Sequence, residues 1–339
     1  MTDLTQFPTL AGLAARLADL PAPDAAAVAA AQARQVQLTK PPGSLGRLEE
    51  LAVFLAGWQG RARPAITRAQ ALVFAGNHGI CDRGVNPFPQ AVTAQMVANF
   101  NAGGAAINQL SRAAGADLSV VALDLDRPTR DFTAGEAMDE AEVLAAMAAG
   151  AAAIDPGASV LLLGEMGIGN STIAAALARA VFGGQAPDWV GPGTGSDAGG
   201  MSLKARVIEE GIALHAARLA EPLGAYRAFG GREQAAIAGA VIAARLARIP
   251  VILDGFICTA SVAPLAAIPG LLDHCIVGHS SAEPGHARLL AALGKRAVLD
   301  LGMRLGEGSG AAVALMVLRA ALAAHDGMAT FAEAGVSDG

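Results

Sequence analysis

Val160-Leu161-Leu162-Leu163-Gly164-Glu165-Met166-Gly167-Ile168-Gly169-Asn170-Ser171-Thr172 runs four apolar residues into a glycine-rich turn and then into an Ala-rich segment. Such a run suits a buried strand that delivers the chain to a helix N-terminus. Glycines let the backbone approach a ligand closely, and free N–H groups together with the helix dipole favour an anion, phosphate above all. Glu165 would repel a phosphate unless it faces another part of the ligand, such as a ribose hydroxyl or a developing positive charge. The stretch therefore reads as a site for a phosphorylated sugar. Its glycines form no G-x-G-x-x-G fingerprint and no Lys follows as in a P-loop, so a tight turn without a ligand is the plainer alternative.

On either side of this stretch, short apolar runs at Ala71 to Phe74, Leu118 to Leu123, Ser159 to Leu163, Pro250 to Leu253, Cys275 to Val277 and Ala297 to Leu301 are candidate strands. Helix-like segments at Asn99 to Ala114, Ala141 to Ala153, Ile173 to Phe182, Leu203 to Leu219, Arg232 to Ala247 and Ala311 to Ala324 alternate with them. That alternation predicts an α/β fold, a doubly wound and mostly parallel sheet with helices on both faces. Ligands of such sheets lie beyond the carboxyl ends of the strands. The loops there are Gly76-Asn77-His78-Gly79, 164–172, Asp254-Gly255-Phe256 and Gly278 to His286, nearly all rich in glycine and small polar residues. Gly191-Pro192-Gly193-Thr194-Gly195 and Gly306-Glu307-Gly308-Ser309-Gly310 add further backbone N–H groups for an anion.

The chain has 339 residues, 53% hydrophobic and 16% charged, enough to bury a large core, with room for a second, smaller domain. A net charge of −6 without a dense basic run argues against nucleic acid and anionic membrane as partners. Cys81, Cys258 and Cys275 are scattered and lack metal-type spacing, and the N-terminus lacks the pattern of a signal peptide, so a reducing, cytoplasmic setting is expected. Gly255 to Leu272 is uncharged and nearly long enough to span a membrane, but Pro264 and Pro269 would break such a helix; buried core is the expectation. His78, His279 and His286 match no helix-based metal motif.

Residues 8–36 suggest two short helices separated by Pro21 and Pro23, followed by Lys40-Pro41-Pro42-Gly43-Ser44-Leu45-Gly46-Arg47-Leu48-Glu49, in which Ser44 is placed to cap a helix. This stretch, the 164–172 loop, Gly230-Gly231-Arg232-Glu233, Leu253-Asp254-Gly255-Phe256, Gly278 to His286, Leu305 to Gly310 and Glu333-Ala334-Gly335-Val336 stand in an order that resembles the nicotinate-nucleotide:dimethylbenzimidazole phosphoribosyltransferases. The resemblance runs from about residue 40 to 336. It implies a large α/β domain over 66–305 and a small helical domain built from 1–65 and 306–339, working as a homodimer. It also implies transfer of phosphoribosyl from nicotinate mononucleotide to 5,6-dimethylbenzimidazole, giving α-ribazole 5′-phosphate and nicotinate, with no metal or organic cofactor.

Carried over residue by residue, the resemblance implies Glu333 as the base that accepts the benzimidazole proton and Glu165 as a second functional carboxylate. Gly167, Gly169, Asn170, Gly193, Thr194, Lys204, Ser309 and Gly310 are the expected phosphate and ribose contacts. Asn77, His78 and Phe331 are expected at the base. Two positions depart from the family pattern: Asn77 stands where many relatives have Asp, which removes acid/base capacity but keeps a hydrogen bond, and Pro192 stands where Arg is often expected. A hydrolase splitting nicotinate mononucleotide and a non-catalytic nucleotide sensor are the alternatives. The sensor has no need of both glutamates.

Overall fold

The computed structural model describes residue 7 and residues 9–337. Six parallel strands form one sheet: β1 (Ala69–Ala75), β2 (Ala116–Ala122), β3 (Val160–Met166), β4 (Val251–Leu253), β5 (Cys275–His279) and β6 (Ala297–Leu299), in the order β2-β1-β3-β4-β5-β6. All six expected strands are present, and each parallel connection carries helical structure, as parallel pairing requires. β1 is buried along its whole length, whereas β2 and β6, at the edges, are half-buried or exposed along theirs.

Alternation along the strands sorts the core into two layers. Leu72 and Phe74 of β1, Leu161 and Leu163 of β3, and Val251 and Leu253 of β4 share one cluster with helices Glu140–Ala152, Arg232–Leu246 and Leu10–Arg16. Their neighbours Ala71, Val73, Val160, Leu162 and Ile252 share the other with helices Arg47–Gln59, Ala106–Ala114 and Ser309–Gly327. Helix Arg232–Leu246 is buried from its first residue through Arg245, which suits a core helix that is apolar nearly all round. It crosses helix Glu140–Ala152 where Gly150 and Gly239 bring the two backbones together. A Cβ at Gly150 would stand 1.8 Å from the Ala236 carbonyl oxygen, and one at Gly239 1.9 Å from that of Met147.

The expected division at 66 and 306 does not coincide with a break in the core. Leu51, Leu55, Leu315 and Leu318 lie in the same cluster as the strands. Polar contacts join the chain ends as well: Arg34 donates to the carbonyls of His325, Asp326 and Met328 at the end of helix Ser309–Gly327, offsetting its dipole, and Leu38 bridges to Thr330. That helix is long and apolar enough to cross a membrane, but its buried face lies on the sheet. The charge-free stretch after β4 folds as helix Phe256–Ser261 and a 3₁₀ turn at Ala263–Ala267, both largely buried.

Local details differ from the sequence reading where glycine intervenes. The single helix expected over Asn99 to Ala114 is two, Ala91–Ala102 and Ala106–Ala114, separated at Gly103-Gly104, where Gly103 adopts φ 80°. Ser44 does not cap the helix that follows it. Gly46 occupies the cap, and the Glu49 carboxylate accepts the Leu45 N–H and pairs with Lys40 at 2.8 Å.

Candidate active site

From β1 the chain steps to one side, to β2; from β3 onward it steps to the other, so the switch point of the sheet lies between the carboxyl ends of β1 and β3. A cavity of about 250 Å³ opens beside it, over the ends of β3, β4 and β5. Phe88, Val92, Met96, Met166 and Leu305 are among its apolar members. Its charged members are Glu165, Asp254, Glu283 and Glu307 against Lys204 and Arg304.

Glu165, at the end of β3, is 4% exposed, and its Oε2 accepts a hydrogen bond from Asn170 Nδ2. Burial pushes its pKa up to about 8, with Asp254 and Glu233 adding to the effect and Asn170 and the Glu307 N–H opposing it. At neutral pH it therefore holds a proton and can donate a hydrogen bond. Glu307 faces the same cavity from the Gly306-Glu307-Gly308 turn, in which all three residues have positive φ, 86°, 65° and 94°. A glutamate in the left-handed region costs roughly 1 kcal/mol or more, a cost found at functional sites. The turn lies flat on β3 because Gly164 has no side chain: a Cβ there would stand 2.4 Å from the Glu307 carbonyl oxygen. The Glu307 carboxylate has one long hydrogen bond, 3.4 Å from Ile107 N–H, and burial raises its pKa.

Lys204 lies in the second turn of helix Ala198–Leu214, not at its start, and is 3% exposed. Its Nζ donates to Ser171 Oγ at 3.2 Å and to the Gly191 carbonyl at 3.3 Å. Burial lowers its pKa and the nearby Glu283 opposes that. Gly193 and Thr194 line the cavity beside it, as do Gly167, Gly169, Asn170 and Ser171 at the start of helix Asn170–Phe182, which has no side-chain cap. The Ile168 peptide between the two glycines is pinned on both sides, its N–H by Thr93 Oγ1 at 3.1 Å and its carbonyl by Cys81 Sγ at 3.2 Å.

The other expected contacts lie elsewhere. Ser309 and Gly310 are not in the cavity wall; the N-terminus they begin is occupied by Asp254, whose carboxylate accepts from Gly308 N–H at 3.2 Å and Ala311 N–H at 2.9 Å. His78 backs the 167–169 loop, its Nε2 2.9 Å from where a Cβ on Gly167 would stand, and neither it nor Asn77 lines the cavity. Asn77 donates to the Leu125 carbonyl, and His78, fully buried, lies 3.0 Å from the equally buried Glu233. Phe331 lines a separate groove with Val36, Lys40, Pro41 and Pro42, and no residue of that groove lines the cavity. Glu333 is exposed. Its carboxylate accepts the Thr330 N–H at 2.7 Å and closes a capping box, which lowers its pKa.

Reading the glycine loops for their N–H groups alone missed Asp254, Glu283, Arg304 and Glu307. The signal available was a Glu between two glycines at 306–308, since glycine on both sides lets the backbone turn a carboxylate inward. Among the described residues no group of three or more His, Cys, Asp or Glu side chains is placed to hold a metal ion.

A phosphoribosyltransferase family model matches residues 20–336, and the chain belongs to that class. Nicotinate-nucleotide–dimethylbenzimidazole phosphoribosyltransferases from Rhodobacter capsulatus and Novosphingobium aromaticivorans are 62% and 60% identical to it, each over 99% of this chain and 100% of the relative. The crystal structure of CobT from Thermus thermophilus superposes with a TM-score of 0.85 at 41% identity, covering 93% of this chain and 100% of that one. The chain is thus a member of the nicotinate-nucleotide–dimethylbenzimidazole phosphoribosyltransferase family.

Proposed function

We propose that this cavity transfers phosphoribosyl from nicotinate mononucleotide to 5,6-dimethylbenzimidazole, giving α-ribazole 5′-phosphate and nicotinate in cobalamin biosynthesis. The observation that carries the proposal is the meeting, in one cavity, of a buried lysine among glycine loops, two inward-facing glutamates and an apolar wall. The 5′-phosphate lies at Lys204, Thr194 and the start of helix Asn170–Phe182, where ammonium and N–H groups face it. The flat benzimidazole lies on the apolar members of the wall. As a benzimidazole nitrogen bonds to C1′ of the ribose, the bond from C1′ to the nicotinate nitrogen breaks and its electron pair returns to the pyridine ring. The benzimidazolium N–H proton then passes to a carboxylate.

Within one chain the carboxylate best placed to take that proton is Glu307, which lines the cavity and makes a single long hydrogen bond. Glu165, protonated at neutral pH, holds the ribose by donating to it. Glu333 reaches no cavity residue of its own chain, so a role for it needs a second copy. We propose that the chain is a homodimer, supported by exposed apolar side chains at both places: Val36 and Val336 beside the terminal groove, Phe88 and Leu305 in the cavity wall. Sedimentation at micromolar concentration tests the assembly, and an active monomer would refute it.

Product analysis with and without benzimidazole tests the reaction. Nicotinate and α-ribazole 5′-phosphate form together when the base is present, and nicotinate release is slow without it. Equal nicotinate release in both cases would identify a hydrolase.

A further inference from the structure

A carboxylate lies where the phosphate calls for cations. Glu283 precedes Pro284 at the start of helix Pro284–Ala292, is 7% exposed, and reaches across to the 191–195 loop. Its Oε1 accepts the Gly193 N–H at 2.9 Å. Its Oε2 is buried without a hydrogen-bond partner against Gly191, where a Cβ would stand 2.0 Å from it. The same Gly193 peptide is held from its other side by Arg304, which donates to the Gly193 carbonyl at 3.1 Å, and Lys204 holds the Gly191 carbonyl. The glutamate thus takes a loop N–H that a phosphate would otherwise use, and sets one negative charge against two positive ones. The absence of a side chain at Gly191 makes room for it there, so its position is built into the loop.

Two cations beside an uncapped helix N-terminus would bind inorganic phosphate as well as a nucleotide. We propose that Glu283 is a specificity-determining residue that offsets the charge of Lys204 and Arg304, so that bare phosphate is held weakly and binding is strong only when ribose and ring contacts accompany the phosphate. This inference rests on the assignment of the phosphate to Lys204. On balance burial raises the Glu283 pKa, and the Gly193 N–H, Lys204 and Arg304 act against that rise.

The test measures inhibition by inorganic phosphate against nicotinate mononucleotide, together with both KM values, in the parent enzyme and in Glu283→Gln, Glu283→Ala and Lys204→Ala. Glutamine keeps an oxygen for the Gly193 N–H and removes only the charge. The phosphate inhibition constant of Glu283→Gln should fall about tenfold or more, tenfold being the effect of one unit charge about 12 Å away at an effective dielectric of about 20 and so a lower bound for a nearer one. Its KM for nicotinate mononucleotide should fall as well, since the 5′-phosphate meets the same charge, and that for benzimidazole should not change. Glu283→Ala frees the loop and should raise the nucleotide KM. A merely structural glutamate cannot give tighter phosphate binding on losing its charge, so unchanged or weaker phosphate inhibition in Glu283→Gln overturns the proposal. Lys204→Ala separates the two assignments. If it leaves the nucleotide KM unchanged, the phosphate is not at Lys204 and that assignment fails; if it raises the KM while Glu283→Gln does not tighten phosphate, the charge offset alone fails.

Discussion

Glu165 and Glu333 are the same residue type in opposite surroundings. Glu165 ends a central strand, is buried, and is held by Asn170 with its pKa pushed up to about 8. Glu333 sits in a four-residue helix near the chain end, is exposed, and has its pKa lowered by the hydrogen bonds of its own capping box. A motif carries the identity of a residue but not its burial, and burial decides whether a carboxylate keeps a proton at neutral pH. Glu307 completes the contrast: it too belongs to a short motif, yet it lines the cavity from between two glycines of positive φ.

The contrast is tested hardest at Glu307. Glu307→Gln keeps the size of the side chain but cannot take a proton, so turnover at saturating substrate should fall by about 10² to 10⁴ while both substrates still bind. A loss of only a few-fold would move the base elsewhere. Glu165→Gln should cost less, about several-fold, because the glutamine amide still donates to the ribose as the protonated acid does. Its pH profile is more telling than its size. The parent should lose activity as pH rises through about 8 and Glu165 ionises, and the variant should lose that limb. Stability depends on the same proton: between its ordinary 4.5 and about 8 the folded chain holds a proton that the unfolded chain releases, so this group's contribution declines as pH rises across that window. Thermal melts of parent and Glu165→Gln at pH 4.5 and 8 measure it, the parent losing more on going to the higher pH. Glu333→Gln should change turnover least, by less than about threefold on the scale of general-base loss. A large loss in Glu333→Gln that deepens on dilution would bring the residue to the cavity from a second copy.

The sheet was legible because parallel strands buried on both faces read as apolar runs ending in glycine. Val160 to Leu163 announced β3, and the loops at the carboxyl ends were found where the cavity lies. Less legible was the use each loop makes of its N–H groups. Ser309 and Gly310 looked like an open helix N-terminus, but Asp254, distant in sequence, caps it; Gly193 looked free, but Glu283 holds its N–H. Sequence spacing does not reveal such long-range pairings. Lys204 was expected at the phosphate from the resemblance, but nothing in its spacing shows that it is buried, holding the Gly191 carbonyl from the second turn of its helix.

The capping of helix Ser309–Gly327 by Asp254 gives the cavity a direction. Two helices begin beside it, and each carries about half a positive charge at its N-terminus. One is left open at Gly169, and the other is already neutralised from within by Asp254. A doubly charged group entering this space would therefore meet attraction at one end and a carboxylate at the other, which favours one orientation over its reverse. The compass needle is set before any ligand arrives, by an aspartate that never has to touch it.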